Sequence, residues 1–172
     1  MKTLFLIVIF LVQYGFTQSA LTDSSTNNRK PKKFVGQELP NITLCPLYGK
    51  SFQLSSLKGN IVVLNCWFTT CVPCQQEIPE LDEIVSKYKK KNIRFISIAR
   101  NTSLDLQRYL KGNAFTYEQT LFTDSIYQTF DEYFPRNIII DKNGVVVFDK
   151  IGYSPLNAEA MTKKLEELLD NK

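Results

Sequence analysis

Cys71-Val72-Pro73-Cys74 places two thiols three positions apart, just after the apolar run Ile61 to Trp67 and at the start of a helical pattern. At a helix start the first sulfur lies beside unpaired backbone N–H groups and the positive end of the helix dipole. Both favour the thiolate, the form that attacks a disulfide. The second sulfur is near enough to close a small ring with the first. Such a pair can pass two electrons to a substrate and then be reset. As a purely structural crosslink it would constrain almost no loop and so stabilise little. The pattern reads as a redox site.

The chain has no histidine. Within this chain, that excludes Ser-His-Asp and Cys-His nucleophile arrangements, His-ligated zinc, and haem attachment through Cys-x-x-Cys-His. Activation of Cys71 must therefore come chiefly from backbone dipoles. That makes a strongly oxidising site the less favoured outcome, because such sites depend on heavy stabilisation of the reduced form. Cys45 and Cys66 are the other cysteines, with 20 residues between them and four more before Cys71. This spacing lacks the paired knuckles of a four-thiolate zinc site, so no metal is expected. Cys66 suits a small apolar core position, and a Cys45–Cys66 disulfide is an open alternative in an oxidising compartment.

Around the cysteines the chain alternates between strand-like and helix-like segments. Ile42 to Leu44 and Ser51 to Leu54 flank a turn at Tyr48-Gly49-Lys50, which predicts an opening hairpin. Ile61 to Leu64 is a continuous apolar run, as in a central strand buried on both faces. After Cys74, the residues Ile78, Leu81, Ile84, Val85 and Tyr88 share one helical face, with a kink expected at Pro79. A strand at Ile93 to Ile98 follows, then a short helix capped by Thr102 or Ser103, a brief strand at Leu121-Phe122, and a short helix after an Asp124 cap. Asn137 to Ile140 and Val145 to Phe148 flank the hairpin signature Asp141-Lys142-Asn143-Gly144, and a last helix follows Ser154-Pro155. The order predicts an α/β domain with a mixed sheet.

The ends are different. Lys2, the apolar stretch Leu4 to Val12 and the small residues before Ala20 predict a signal peptide over 1–19. The apolar stretch falls short of the roughly 20 residues that span a bilayer, though an uncleaved N-terminal tether is the alternative. Residues 20–35 read as a flexible basic linker and 36–172 as the folded domain. Lys2, Arg29, Lys30, Lys32 and Lys33 supply five of the 21 Lys+Arg, and Asp23 one of the 17 Asp+Glu, which leaves 16 of each from Phe34 onward. The folded part is thus neutral overall, and no nucleic-acid partner is expected.

Leu54-Ser55-Ser56-Leu57-Lys58-Gly59, Val63-Leu64-Asn65-Cys66-Trp67-Phe68-Thr69-Thr70-Cys71-Val72-Pro73-Cys74, Glu77-Ile78-Pro79 and the run Pro135 to Asp141 give the chain a clear likeness. It resembles the TlpA/ResA group of exported thioredoxin-like thiol-disulfide oxidoreductases over roughly residues 36 to 169. The resemblance implies a thioredoxin-like fold, with a mixed central sheet flanked by helices and an N-terminal hairpin extension. It also implies that Cys71 attacks, Cys74 resolves, Pro135 is cis and packs against the disulfide, and Glu77 manages protons for the second cysteine. Phe68, where a small residue is usual, Thr70, where an aromatic is usual, and Phe134 and Arg136 beside the proline depart from the pattern. These positions are expected to form the rim that meets partners.

The expected function is an exported protein-disulfide reductase, in the periplasm or an equivalent space, whose only redox carrier is the Cys71–Cys74 pair, without a cofactor. Its expected partners are disulfide-containing exported proteins, apocytochrome c among them, and a membrane-embedded thiol carrier that supplies electrons; the protein itself is expected to be a monomer. Trp67, Val72, Pro73 and Phe134 are candidate substrate contacts, with Trp67 equally readable as packing beneath the site. Glu77 has a plainer reading as a carboxylate in the first helical turn, favoured by the dipole. The alternatives are an oxidase or isomerase on the same fold, a thiol peroxidase, or a non-catalytic thioredoxin-like binding module. A peroxidase usually carries Thr or Ser three positions before its reactive cysteine, where this chain has Phe68.

Overall fold

A computed structural model describes residues 30–170. The signal-peptide reading of 1–19 and most of the linker at 20–35 lie outside these residues. Among the described residues, no helix is long and apolar enough to cross a membrane.

The sheet is built outward from β3 (Ile61–Trp67), buried at every position. β4 (Ile93–Ala99) pairs with it in parallel on one side and β6 (Arg136–Ile140) antiparallel on the other. Beyond β4 lies β5 (Glu118–Leu121), also parallel, and beyond β6 lies β7 (Val146–Ile151), antiparallel. The opening hairpin of β1 (Thr43–Pro46) and β2 (Phe52–Gln53) adds to the free edge of β5. The order β2-β1-β5-β4-β3-β6-β7 is a seven-stranded mixed sheet. It is the α/β, thioredoxin-like architecture expected from the sequence.

Period-two alternation divides β3 between two cores. Ile61, Val63 and Trp67 face one side, with Ile78, Leu81 and Ile84 of α1 (Val72–Tyr88) and Met161 and Leu165 of α4 (Asn157–Asp170). Val62, Leu64 and Cys66 face the other, with Ile126 and Phe130 of α3 (Asp124–Phe130). α2 (Ser103–Leu110) is capped by the Thr102 hydroxyl, which accepts from the Asp105 N–H.

Several local expectations change. The brief strand expected at Leu121-Phe122 lies earlier, at Glu118–Leu121, because it must match Ile96 to Ala99 in register. Thr123, not Asp124, precedes α3 in extended conformation. α1 runs from Val72 to Tyr88 with Pro79, the expected kink position, inside it. Cys45 and Cys66 are both free thiols. They lie on β1 and β3, three strand spacings apart, roughly 14 Å at the usual separation and beyond the reach of a disulfide.

Candidate active site

β3 ends at Trp67, and after four intervening residues the chain enters α1. The turn between them is pinned at both ends. The Cys71 N–H donates to the Phe68 carbonyl at 3.0 Å, and the Thr69 N–H donates to Asn101 Oδ1 at 2.9 Å. Cys71 is the N-cap of α1, in extended conformation, with Pro73 in the first helical turn, where its missing N–H costs nothing. Cys71 and Cys74 are joined as a disulfide, and the Cys71 sulfur also accepts from the Cys74 N–H at 3.2 Å. A capping sulfur in this position keeps a backbone donor at hand for the negative charge it carries once reduced.

The two cysteines are unequally exposed. Cys71 retains 6% of its surface and Cys74 only 1%. The outer cysteine keeps more contact with solvent than the inner one. Val72 and Pro73 between them are exposed, Val72 by 62%.

Phe134–Pro135 is a cis peptide bond, as the resemblance implies. Pro135 is buried immediately before β6, and its carbonyl accepts from the Gly152 N–H at 2.8 Å. Because Cys66 pairs with Arg136, Pro135 lies at the end of the sheet where β3 hands over to the cysteines. Phe134, half-buried, meets Phe68 edge to face at 5.3 Å between ring centroids and Phe122 at 5.9 Å. Phe68 and Phe134 both pack against the core that holds the two cysteines.

Two residues expected to meet partners are placed differently. Arg136 is fully buried, because the residue after Pro135 points to the opposite face of the sheet, where its guanidinium pairs with Asp149. Trp67 has no exposed surface and cannot touch a partner directly. Its ring packs edge-on against Tyr109 and Phe115 in the core that also holds both cysteines. Its packing role stands and the expected substrate contact is corrected.

Glu77 is 2% exposed. α1 begins at Val72, so Glu77 falls in the second turn rather than the first, one turn after Cys74, with its carboxylate turned toward the sheet. Asn65 of β3 donates to Oε1 at 2.6 Å and Asn137 of β6 donates to Oε2 at 2.9 Å. The two asparagines are register partners, and Asn65 also donates to Asn137 Oδ1 at 2.9 Å. Burial pushes the Glu77 carboxyl up to about 7, the two amide donors pull it back, and the neighbouring Glu80 adds to the rise. A buried carboxyl that titrates near neutrality can take and return a proton under ordinary conditions.

Asn65 and Asn137 were not singled out from the sequence. The available signal was a polar residue inside the apolar run Ile61 to Trp67 and another opening the run up to Ile140. A polar side chain in such a strand must find a partner. Cys66, on the other face, is held by burial at about 12 and remains a neutral thiol.

The Redoxin family model matches residues 34–169. Thiol-disulfide oxidoreductase ResA of Bacillus anthracis is 31% identical over 156 residues, covering 88% of each chain. Among solved structures, the thioredoxin domain of a thiol-disulfide oxidoreductase from Bacteroides vulgatus superposes with a TM-score of 0.68 at 21% identity, over 79% of this chain and 98% of that one. A thiol:disulfide interchange protein from Chlorobium tepidum gives 0.66 at 21%, over 80% and 98%. With its cysteine pair capping α1 and its cis proline at the same end of the sheet, this chain belongs to the Redoxin family, among the ResA-like thiol-disulfide oxidoreductases.

Proposed function

We propose that the protein is a reductase of disulfides in partner proteins, with the Cys71–Cys74 pair as its only redox carrier and no cofactor. The observation that carries this reading is the asymmetry of the pair: Cys71 caps the helix and keeps some exposure, while Cys74 lies behind it. In the reduced enzyme the Cys71 thiolate attacks one sulfur of a partner disulfide. The partner's S–S bond breaks, its other sulfur leaves as a thiolate and takes up a proton, and a mixed disulfide forms through Cys71. Cys74 then gives its proton to the Glu77 carboxylate and attacks Cys71. The mixed bond breaks, the partner's second thiol is released and protonated, and the Cys71–Cys74 disulfide forms. Two electrons have moved from the enzyme to the partner.

The ResA-like relatives favour work outside the cytoplasm, next to a membrane thiol donor that returns the electrons. Cysteines of apocytochrome c, kept reduced for haem attachment, are a fitting substrate in that setting. Direction is tested by the equilibrium potential against glutathione. A value near that of thioredoxin, about −270 mV, supports a reductase, and one near about −120 mV an oxidase. Substrate class is tested by a Cys74→Ser variant, which should accumulate mixed disulfides through Cys71. Recovery of no cysteine-containing exported protein in that trap would overturn the reading.

A further inference from the structure

We infer that Asn65 and Asn137 are positioning residues for the redox step: their side-chain amides hold the Glu77 carboxylate by both oxygens and fix the pH at which it exchanges its proton with Cys74. This rests on the proton role proposed for Glu77 and adds the residues that govern it. Asn65 and Asn137 lie opposite one another on adjacent central strands, on the face that α1 covers. Asn65 uses its amide group twice, on Glu77 Oε1 at 2.6 Å and on Asn137 Oδ1 at 2.9 Å. The second of these contacts turns the Asn137 amide so that its own N–H reaches Glu77 Oε2 at 2.9 Å. All three side chains are buried, so water does not compete.

Two donors aimed at one carboxylate satisfy its ionised form. A proton on either oxygen would leave one amide facing a hydroxyl, a poorer acceptor. The pair therefore opposes the burial that favours the neutral acid. The remaining groups near Glu77 do not supply this opposition. Glu80, one turn on along α1, is acidic and works in the same direction as burial. Tyr117, before β5, is buried and stays neutral, its hydroxyl held well above its ordinary value by burial and by the charges of Glu77 and Asp82. Tyr153, after β7, donates to Glu80 at 3.2 Å and is likewise raised. Cys74, one turn before, is the proton's source. Among the described residues, the asparagines alone oppose burial at this carboxyl, and a carboxyl already protonated at neutral pH cannot accept the Cys74 proton.

The test is a ¹³C NMR titration of the Glu77 side-chain carboxyl in the full-length oxidised protein, assigned by its loss in Glu77→Gln. The wild type should titrate near 7. Asn65→Leu and Asn137→Leu should each raise the midpoint, by about tenfold in proton affinity for each donor lost. In the same variants, the resolving step can be followed by fluorescence of Trp67, the one tryptophan, lying in the core beneath the disulfide. Its acid limb should move upward by the same amount and vanish in Glu77→Gln. If the Leu variants do not fold, Ala at the same positions carries the same expectation. A wild-type midpoint near 7 that neither asparagine variant moves would overturn the inference while leaving the Glu77 role intact. A wild-type midpoint at the ordinary carboxylate value would sink the Glu77 role itself.

Discussion

Glu77 favours the folded state more as a neutral acid than as a carboxylate, and this makes stability depend on pH in an unusual direction. Its folded-state midpoint, about 7, lies above the ordinary 4.5 that the unfolded chain would show. The folded protein therefore binds this proton more tightly than the unfolded chain does. The resulting stabilisation is fully present below about pH 4.5 and is lost as pH rises through about 7. The difference corresponds to roughly 3 kcal/mol. Urea midpoints of the oxidised wild type should fall between pH 5 and pH 8. Glu77→Gln should flatten that slope and be the more stable protein at pH 8, by about 1–3 kcal/mol, since its amide replaces only part of the hydrogen bonding. A steeper fall in the variant would refute the assignment. Cys66 gives the contrast at this scale: burial holds its thiol neutral, away from the thiolate form that disulfide exchange needs.

At the scale of elements, α1 acts as part of the reagent. Its N-terminus presents the capping sulfur of Cys71 to solvent and buries that of Cys74. After reduction, iodoacetamide at neutral pH should modify Cys71 at least tenfold faster than Cys74, scored by mass spectrometry of the peptide. Equal rates would remove the distinction between attacking and resolving sulfurs. This much was readable in the chain, because local pattern determines it: an apolar run, a turn, a cysteine pair and a 3.6-residue repeat. The cis proline followed from resemblance in sequence. The clamp on Glu77 was less readable, since Asn65 and Asn137 meet only through the register of β3 with β6, which no local signal specifies. Arg136 was misplaced for a related reason. In a strand, one step along the chain changes the face, and the residue after Pro135 turns away from the disulfide.

On the scale of the whole molecule, that buried arginine ties the segment around Lys32 and Phe34 to the strand that follows the cis proline. Its Nε donates to Asp149 Oδ1 at 2.9 Å, and its Nη2 donates to Oδ2 at 2.7 Å and to the Lys32 carbonyl at 2.6 Å. Nη1 donates to the Phe130 carbonyl at 2.9 Å, so α3 is held as well. The Phe34 N–H donates to Asp149 Oδ2 at 3.1 Å, and the Phe34 ring lies under the guanidinium at 4.9 Å. Phe34 is itself a core residue, so the segment read from composition as the end of a flexible linker is, at this position, part of the fold. The basic residues around it concealed one aromatic anchor. A buried ion pair is costly to break by halves, because the orphaned charge stays in the interior. Asp149→Ala should therefore lower stability by about 3–5 kcal/mol. A chain beginning at Gly36 should lose about 3–5 kcal/mol relative to one beginning at Lys30, from the Phe34 ring and the hydrogen bonds to the charged pair. Both are measured by urea unfolding of the oxidised protein. Because Arg136 follows Pro135 directly, the two changes should also speed reduction of the Cys71–Cys74 disulfide by dithiothreitol, whereas an equally destabilising change in the other core, Leu44→Ala on β1, should leave that rate alone. Matching rates in all three proteins would mean that the clamp serves stability and has no hold on the active-site loop.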